Sequence, residues 1–171
     1  GRMKADHHRL NEMQGYLSSG ELHPLIHYHY RDKEDMFDAH SYNKGGLVLH
    51  MLRNYVGDDA FFASLSKYLK DNAFTAVEVD ELRMAFEDIT GEDLHWFFDQ
   101  WYLREGHPII SVEYNYDEKN KQLNVYTNQV GKYNFYMPFD VAVYDQNGKA
   151  TLHNVWIENE LDTFQILNVS K

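Results

Sequence analysis

An α+β chain is the fold class this sequence predicts: a helical bundle followed by a small antiparallel β-sandwich-like domain. Three observations predict it. Apolar residues recur three and four apart through the first two thirds of the chain, the spacing of helices with one buried face. At Gly106-His107-Pro108 the period changes from helical to two. Beyond that point short alternating runs are separated by turn residues, including Asn147-Gly148.

The first helix is expected over 4–17, with Leu10, Met13 and Leu17 on the face that can be buried and Ser18-Ser19-Gly20 as its stop. Residues 23–30 contain Pro24 and the alternation His27-Tyr28-His29-Tyr30, which is more extended than helical. A charged connector follows over 31–40, with Met36 and Phe37 as anchors. The next helix is expected over 41–55, with the Ser41 hydroxyl as its N-cap acceptor and Gly57 as its stop. Asp58 or Asp59 caps the helix after it, which presents Phe61, Leu65, Tyr68 and Leu69 on one face. A helix over 79–89 presents Leu82, Ala85, Phe86 and Ile89 and ends at Thr90-Gly91, and a short aromatic helix spans 94–102. Strands are expected at 109–116, 122–127, 133–144 (bent at Pro138), 150–157 and 163–169. The domain boundary is placed near Pro108, giving a helical part over 1–107 and a β part over 108–171. Five strands are fewer than the roughly seven of a β-sandwich, so either the sheet is small or the domain is incomplete.

Composition narrows the function classes. Sixteen basic against 27 acidic residues leave a net charge of −11, which disfavours a nucleic-acid backbone or an anionic membrane as partner. Hydrophobic residues make up 43% of the chain, enough for a packed core. There is no cysteine, so disulfides, thiolate catalysis and cysteine-based zinc sites are excluded. No apolar run approaches the roughly 20 residues of a membrane span, and no signal peptide is visible at the start. The chain is therefore expected to be soluble, either cytoplasmic or exported by a signal outside it.

The stretch Ser41-Tyr42-Asn43-Lys44-Gly45-Gly46 carries the chemistry. A tyrosine at a helix start beside two glycines has room around it. Each glycine costs the helix roughly 1 kcal/mol against alanine, which suggests close approach of a backbone or a ligand. A core tyrosine with helices packed through glycine would leave the same pattern.

Several further elements follow in order: Val56-Gly57-Asp58-Asp59-Ala60-Phe61, the helix from Leu82 to Gly91, Asp93-Leu94 with Phe97-Phe98-Asp99-Gln100-Trp101, and Gly106-His107-Pro108. Together with the Tyr42 segment they resemble the M1 family of zinc metallopeptidases, gluzincins related to aminopeptidase N. The resemblance is strongest over 41–110. It implies that 1–107 is the helical C-terminal part of a peptidase catalytic domain. It also implies that the parent is a hydrolase removing N-terminal residues from peptides, with one zinc bound by His-Glu-x-x-His and a glutamate on the next helix. In that family the tyrosine of Tyr-x-Lys-Gly donates its phenolic hydrogen to the oxyanion of the tetrahedral intermediate. That catalytic role is carried to Tyr42 and to no other residue. No His-Glu-x-x-His occurs in the chain. No metal ligands or cofactor-binding residues are therefore expected here, and the isolated chain is expected neither to bind the catalytic zinc nor to cleave peptides. Its partners would be the rest of its own catalytic domain and, in the parent, a peptide substrate. The isolated chain would also expose apolar surface and tend to associate.

The remaining candidates have plainer readings. His7 and His8 are adjacent and cannot share a helix face, while His27 and His29 can share a strand face and could bind a metal only with ligands from elsewhere. His95 and His107 are isolated. Packing or surface positions account for all of these. The cluster Trp96, Phe97, Phe98, Trp101 and Tyr102 reads as packing, and Asn168-Val169-Ser170 matches a glycosylation acceptor only weakly. Two alternatives belong to other classes: a non-catalytic M1-like protein used for binding or structure, and a free-standing binding module.

Overall fold

The computed structural model describes residues 2–20 and 23–169, with the side chains of all of these except Arg2. The chain divides after Glu105 into two compact units.

The first unit is helical. Helix α1 runs Arg2–Ser19 and ends where Gly20 takes φ +69°. Its buried residue is Tyr16, while Leu10, Met13 and Leu17 are exposed. The stripe expected to be buried is thus uncovered by the described residues, because amphipathic spacing identifies a face and not what covers it. A 3₁₀ turn at Lys33–Met36 interrupts the charged connector. Met36 and Phe37 do not anchor it, since both are exposed; the turn is held instead by Asp32 and Asp35 in reciprocal capping bonds. A five-residue π-helical turn, His40–Lys44, then leads into α2, Gly45–Val56. Helices α3 (Asp58–Asp71), α4 (Val79–Thr90) and α5 (His95–Trp101) complete the unit.

Gly57 at φ +85° and Gly91 at φ +71° end α2 and α4 at the expected places, because glycine alone enters that region without strain. Asp58 and Asp59 lie in the first turn of α3 without capping it. Asp58 pairs instead with Arg53 through two bonds of 2.8 and 2.9 Å. The core is formed by Val48 and Leu52 of α2, Phe61 of α3, Ala85 and Phe86 of α4, and Leu94, Phe97, Phe98 and Trp101 around α5. Phe61 and Phe86 meet with ring centroids 5.6 Å apart. Leu69 and Ile89, expected on buried faces, are exposed. The Ile26 amide donates to the Tyr102 carbonyl at 2.9 Å and ties the extended segment to the end of α5.

The second unit holds five antiparallel strands: β1 (Ile110–Asp117), β2 (Gln122–Gln129), β3 (Met137–Tyr144), β4 (Ala150–Ile157) and β5 (Leu161–Ile166). They form a three-stranded sheet in the order β1-β2-β5 and a β3-β4 hairpin. Residues 133–136, expected to be strand, are not. The buried Gln129 amide takes their place in the hydrogen bonding: it accepts from the Phe135 N–H at 2.8 Å and donates to the Phe135 and Asn159 carbonyls at 2.9 and 3.0 Å. At the β3–β4 turn only Gly148 has positive φ, +76°. Asp145 accepts from the Asn147 and Lys149 amides and fixes the turn, so the two-residue geometry expected of Asn-Gly does not form. Between the two sheets lies an apolar space of about 570 Å³ lined by residues that include Val112, Leu123, Val125, Phe139 and Val143.

Candidate functional site

The π-helical turn is the local device that presents Tyr42. A π turn adds a residue to the helical period and so rotates neighbouring side chains away from an α-helical stripe; such turns are frequent at functional sites. Here its two ends are buried, His40 at 0% and Lys44 at 4% exposure, and Tyr42 between them is 63% exposed. The Gly45 amide reaches back five residues to the His40 carbonyl, which closes the wider turn. The start is fixed by Asp38, whose Oδ1 accepts from the Ser41 amide at 2.7 Å. Ser41 is therefore not the cap expected from sequence; its hydroxyl donates to the Met36 carbonyl at 2.6 Å. The Phe37 ring lies beside Tyr42 with centroids 6.2 Å apart.

The two glycines have different surroundings. A Cβ on Gly45 would touch the His40 carbonyl and Leu25 at ordinary distance, whereas a Cβ on Gly46 would meet nothing within 4 Å. Gly46 lies four residues after Tyr42 and is exposed. The close approach expected at the pair is thus absent at Gly46 among the described residues. Gly46→Ala is expected to stabilise the first unit by about 0.5–1 kcal/mol, the propensity difference in a helix interior, read as a raised urea midpoint.

Lys44 is unusual for a lysine. Burial pushes its ammonium down to about 8 from the ordinary 10.5, and the amine lies 5.7 Å from the Tyr16 ring centroid. Burial raises the Tyr16 phenol above its ordinary 10.0. The signs give a window. Below pH 8 Lys44 is charged in both states and its burial cost is fully felt. From pH 8 to 10.5 the unfolded chain binds more protons, so stability rises. Tyr16 opposes this from about pH 10 upward, where only the unfolded phenol ionises. Stability of the first unit is expected to rise between pH 8 and 9.5, and Lys44→Met is expected to flatten that rise in urea titrations at each pH.

Histidines that are distant in sequence meet beside this turn. His23 Nδ1 lies 2.7 Å from the Pro24 carbonyl and His23 Nε2 lies 2.9 Å from Asp38 Oδ2. The His40 ring stacks on His23 at 3.8 Å, and His27 lies 4.8 Å from His23. His27 and His29, paired on a strand face in the sequence reading, have ring centroids 6.4 Å apart and line a cavity of about 550 Å³ with His23 and Asp38. Burial pushes the Asp38 carboxyl up, but hydrogen bonds from Ser41 and His23 and the His23 charge outweigh it and hold the group below its ordinary value. Sequence reasoning missed this grouping, because His23 lies 15 residues before Asp38 and no local pattern brings the two together, while Asp38 and His40 fell in a stretch read as a charged connector. A second grouping joins Glu87, Asp93 and His95, with His95 Nδ1 2.7 Å from Asp93. Neither grouping is a pair of histidines one helical turn apart, so neither fits a His-Glu-x-x-His zinc site.

The helical unit thus presents an exposed tyrosine from a turn whose two ends are buried, and an antiparallel β unit follows it in the chain. The chain belongs to peptidase family M1: the Peptidase family M1 domain matches residues 3–101. Aminopeptidase M1-C of Oryza sativa subsp. japonica is 34% identical over 99 residues, 56% of this chain and 11% of that protein. Aminopeptidase M1 of Arabidopsis thaliana is 33% identical over 85 residues, 50% of this chain and 10% of that protein. Tricorn protease-interacting factor F2 of Thermoplasma acidophilum is 33% identical over 108 residues, 60% of this chain and 14% of that protein. The crystal structure of Legionella pneumophila aminopeptidase A in complex with aspartic acid shares the fold, with a TM-score of 0.75 and 22% identity over 85% of this chain and 17% of that one. The chain thus spans about a tenth of the length of the curated relatives it matches. Among the described residues no helix is long and apolar enough to cross a membrane.

Proposed function

We propose that this chain is the Tyr-x-Lys-Gly portion of a zinc aminopeptidase that hydrolyses N-terminal residues from peptides, and that Tyr42 is its oxyanion donor. The observation that carries the reading is Tyr42 itself, an exposed phenol on a turn whose neighbours His40 and Lys44 are buried. Such a turn holds the donor in place before charge develops, the condition under which a hydrogen bond to an oxyanion accelerates acyl transfer. A phenolic hydroxyl can donate a hydrogen bond, which is what a developing oxyanion requires. The chain's own residues do not make the catalytic zinc site, whose ligands and general base lie elsewhere in the parent. The remainder of the catalytic domain is the natural cover for the exposed Leu10, Met13 and Leu17 of α1.

The division of labour has a direct test. The 171-residue chain, supplied with zinc and a fluorogenic aminoacyl amide, is expected to give no turnover. A polypeptide of the relatives' full length that contains this segment is expected to give zinc-dependent turnover. Turnover by the short chain, or none by the long one, would overturn the reading. The second outcome would favour an M1-like binding or structural protein.

A further inference from the structure

We propose that His23, Asp38 and His40 form a binding site for one divalent transition cation of the zinc class, and that the ion braces the start of the turn carrying Tyr42. One ligand atom from each residue lies within 4.8 Å of the others. Asp38 Oδ2 is 2.9 Å from His23 Nε2 and 3.9 Å from His40 Nδ1. Donors on a tetrahedral zinc, each about 2.0–2.2 Å from the metal, lie roughly 3.3 Å apart. The two observed separations bracket that value; the His23 and His40 rings stack at 3.8 Å with 21° between their planes, so one ring must turn out of the stack for both in-plane lone pairs to meet one ion.

Electron pairs argue the same way. The Pro24 carbonyl can only accept, so the 2.7 Å contact places a proton on His23 Nδ1. In the neutral ring the Nε2 lone pair then faces a carboxylate oxygen at 2.9 Å. Two electron pairs at that distance need a cation between them, either a second ring proton or a metal. Both ligands are also oriented from behind. His23 is held by a backbone carbonyl, and Asp38 by the Ser41 amide on its other oxygen at 2.7 Å. This is the arrangement that fixes tautomer and direction in metal sites. The His23 amide lies 3.5 Å from His40 Nε2.

Two imidazoles and one carboxylate select zinc, cobalt or nickel over calcium or magnesium, which prefer all-oxygen sites. The adjoining cavity of about 550 Å³, lined also by His27 and Glu34, admits solvent or a fourth ligand. His40 is the first residue of the π turn, so an ion on it would tie that turn to the segment carrying His23. The inference stands whether or not the chain comes from a peptidase.

The test uses the untagged 171-residue chain, stripped with chelator and exchanged into chelator-free buffer. Zinc chloride is titrated calorimetrically and cobalt chloride by visible absorption. One equivalent is expected to bind, with the absorption of a four-coordinate cobalt site and a raised melting temperature in zinc. His23→Gln and Asp38→Asn are each expected to weaken binding at least tenfold. His95→Gln and the His7→Gln, His8→Gln pair are expected to leave it unchanged. Circular dichroism checks that the variants fold. If they do not, imidazole nitrogen shifts in the wild-type chain decide: His23 and His40 are expected to move at one equivalent of zinc. No saturable binding, or binding that survives both His23→Gln and Asp38→Asn, overturns the site; so does zinc that leaves the His23 and His40 resonances in place.

Discussion

Tyr42→Phe in a full-length M1 polypeptide carrying this segment is expected to lower kcat by about 10²–10³, with KM and zinc content little changed. That corresponds to about 2.7–4 kcal/mol of transition-state stabilisation. The expectation rests on what the substitution removes. Phenylalanine keeps the ring, its contact with Phe37 and the exposed position, and it deletes only the hydroxyl. A group that acts on the developing oxyanion and not on the ground-state carbonyl affects kcat more than KM. If Tyr42 were merely an inherited surface aromatic, the substitution would leave both constants within a factor of two or three. A fall confined to KM would assign it to substrate binding. The stability of the variant should match wild type, since Tyr42 is 63% exposed and loses only its hydroxyl.

Phe86→Ala is expected to be the most damaging change to the first unit, costing about 3–5 kcal/mol. Phe86 has no exposure and packs on Phe61, and its neighbour Ala85 on α4 is also buried. Whole domains hold only about 5–15 kcal/mol, so the variant would lie near the edge of folding. Urea unfolding followed by tryptophan fluorescence measures this as a lowered midpoint with unchanged slope. Leu69→Ala is the informative control. Periodicity places Leu69 on the same face as Phe61 and Leu65, but it is 67% exposed. Its loss is therefore expected to cost within about 0.5 kcal/mol in this chain. Equal costs at the two positions would contradict the packing described.

The contrast between Phe86 and Leu69 shows what the sequence carries. The α+β class, five helices, five strands and the ends of α2 and α4 were legible, because each depends on local chemistry: a change of period, or a glycine where φ turns positive. Which apolar residues are covered was less legible, because the same 3.6-residue stripe describes Phe86 and the exposed Leu10, Met13 and Leu17. The turn around Tyr42 was visible as a helix start and not as a π turn, since one inserted residue leaves no compositional mark. Its true fastening, the Asp38 carboxylate on the Ser41 amide, was hidden because Ser41 itself looked like the cap. At residues 133–136 the side chain of Gln129 replaces a strand ladder, a long-range substitution that no local pattern announces. The family, by contrast, was legible from a few ordered motifs, and the matched domain over 3–101 covers them up to Trp101. The histidine grouping was not, because His23 and His40 meet only after the intervening chain folds back.

The central claim is that Tyr42 donates to the oxyanion. The measurement that tests it most directly is the affinity of wild-type and Tyr42→Phe full-length enzyme for a phosphinic pseudopeptide, whose tetrahedral oxygen stands in for that oxyanion. The account predicts that the inhibition constant rises by the same factor by which kcat/KM falls, while binding of a flat substrate analogue is unchanged. An inhibition constant that stays put while kcat/KM falls would contradict it.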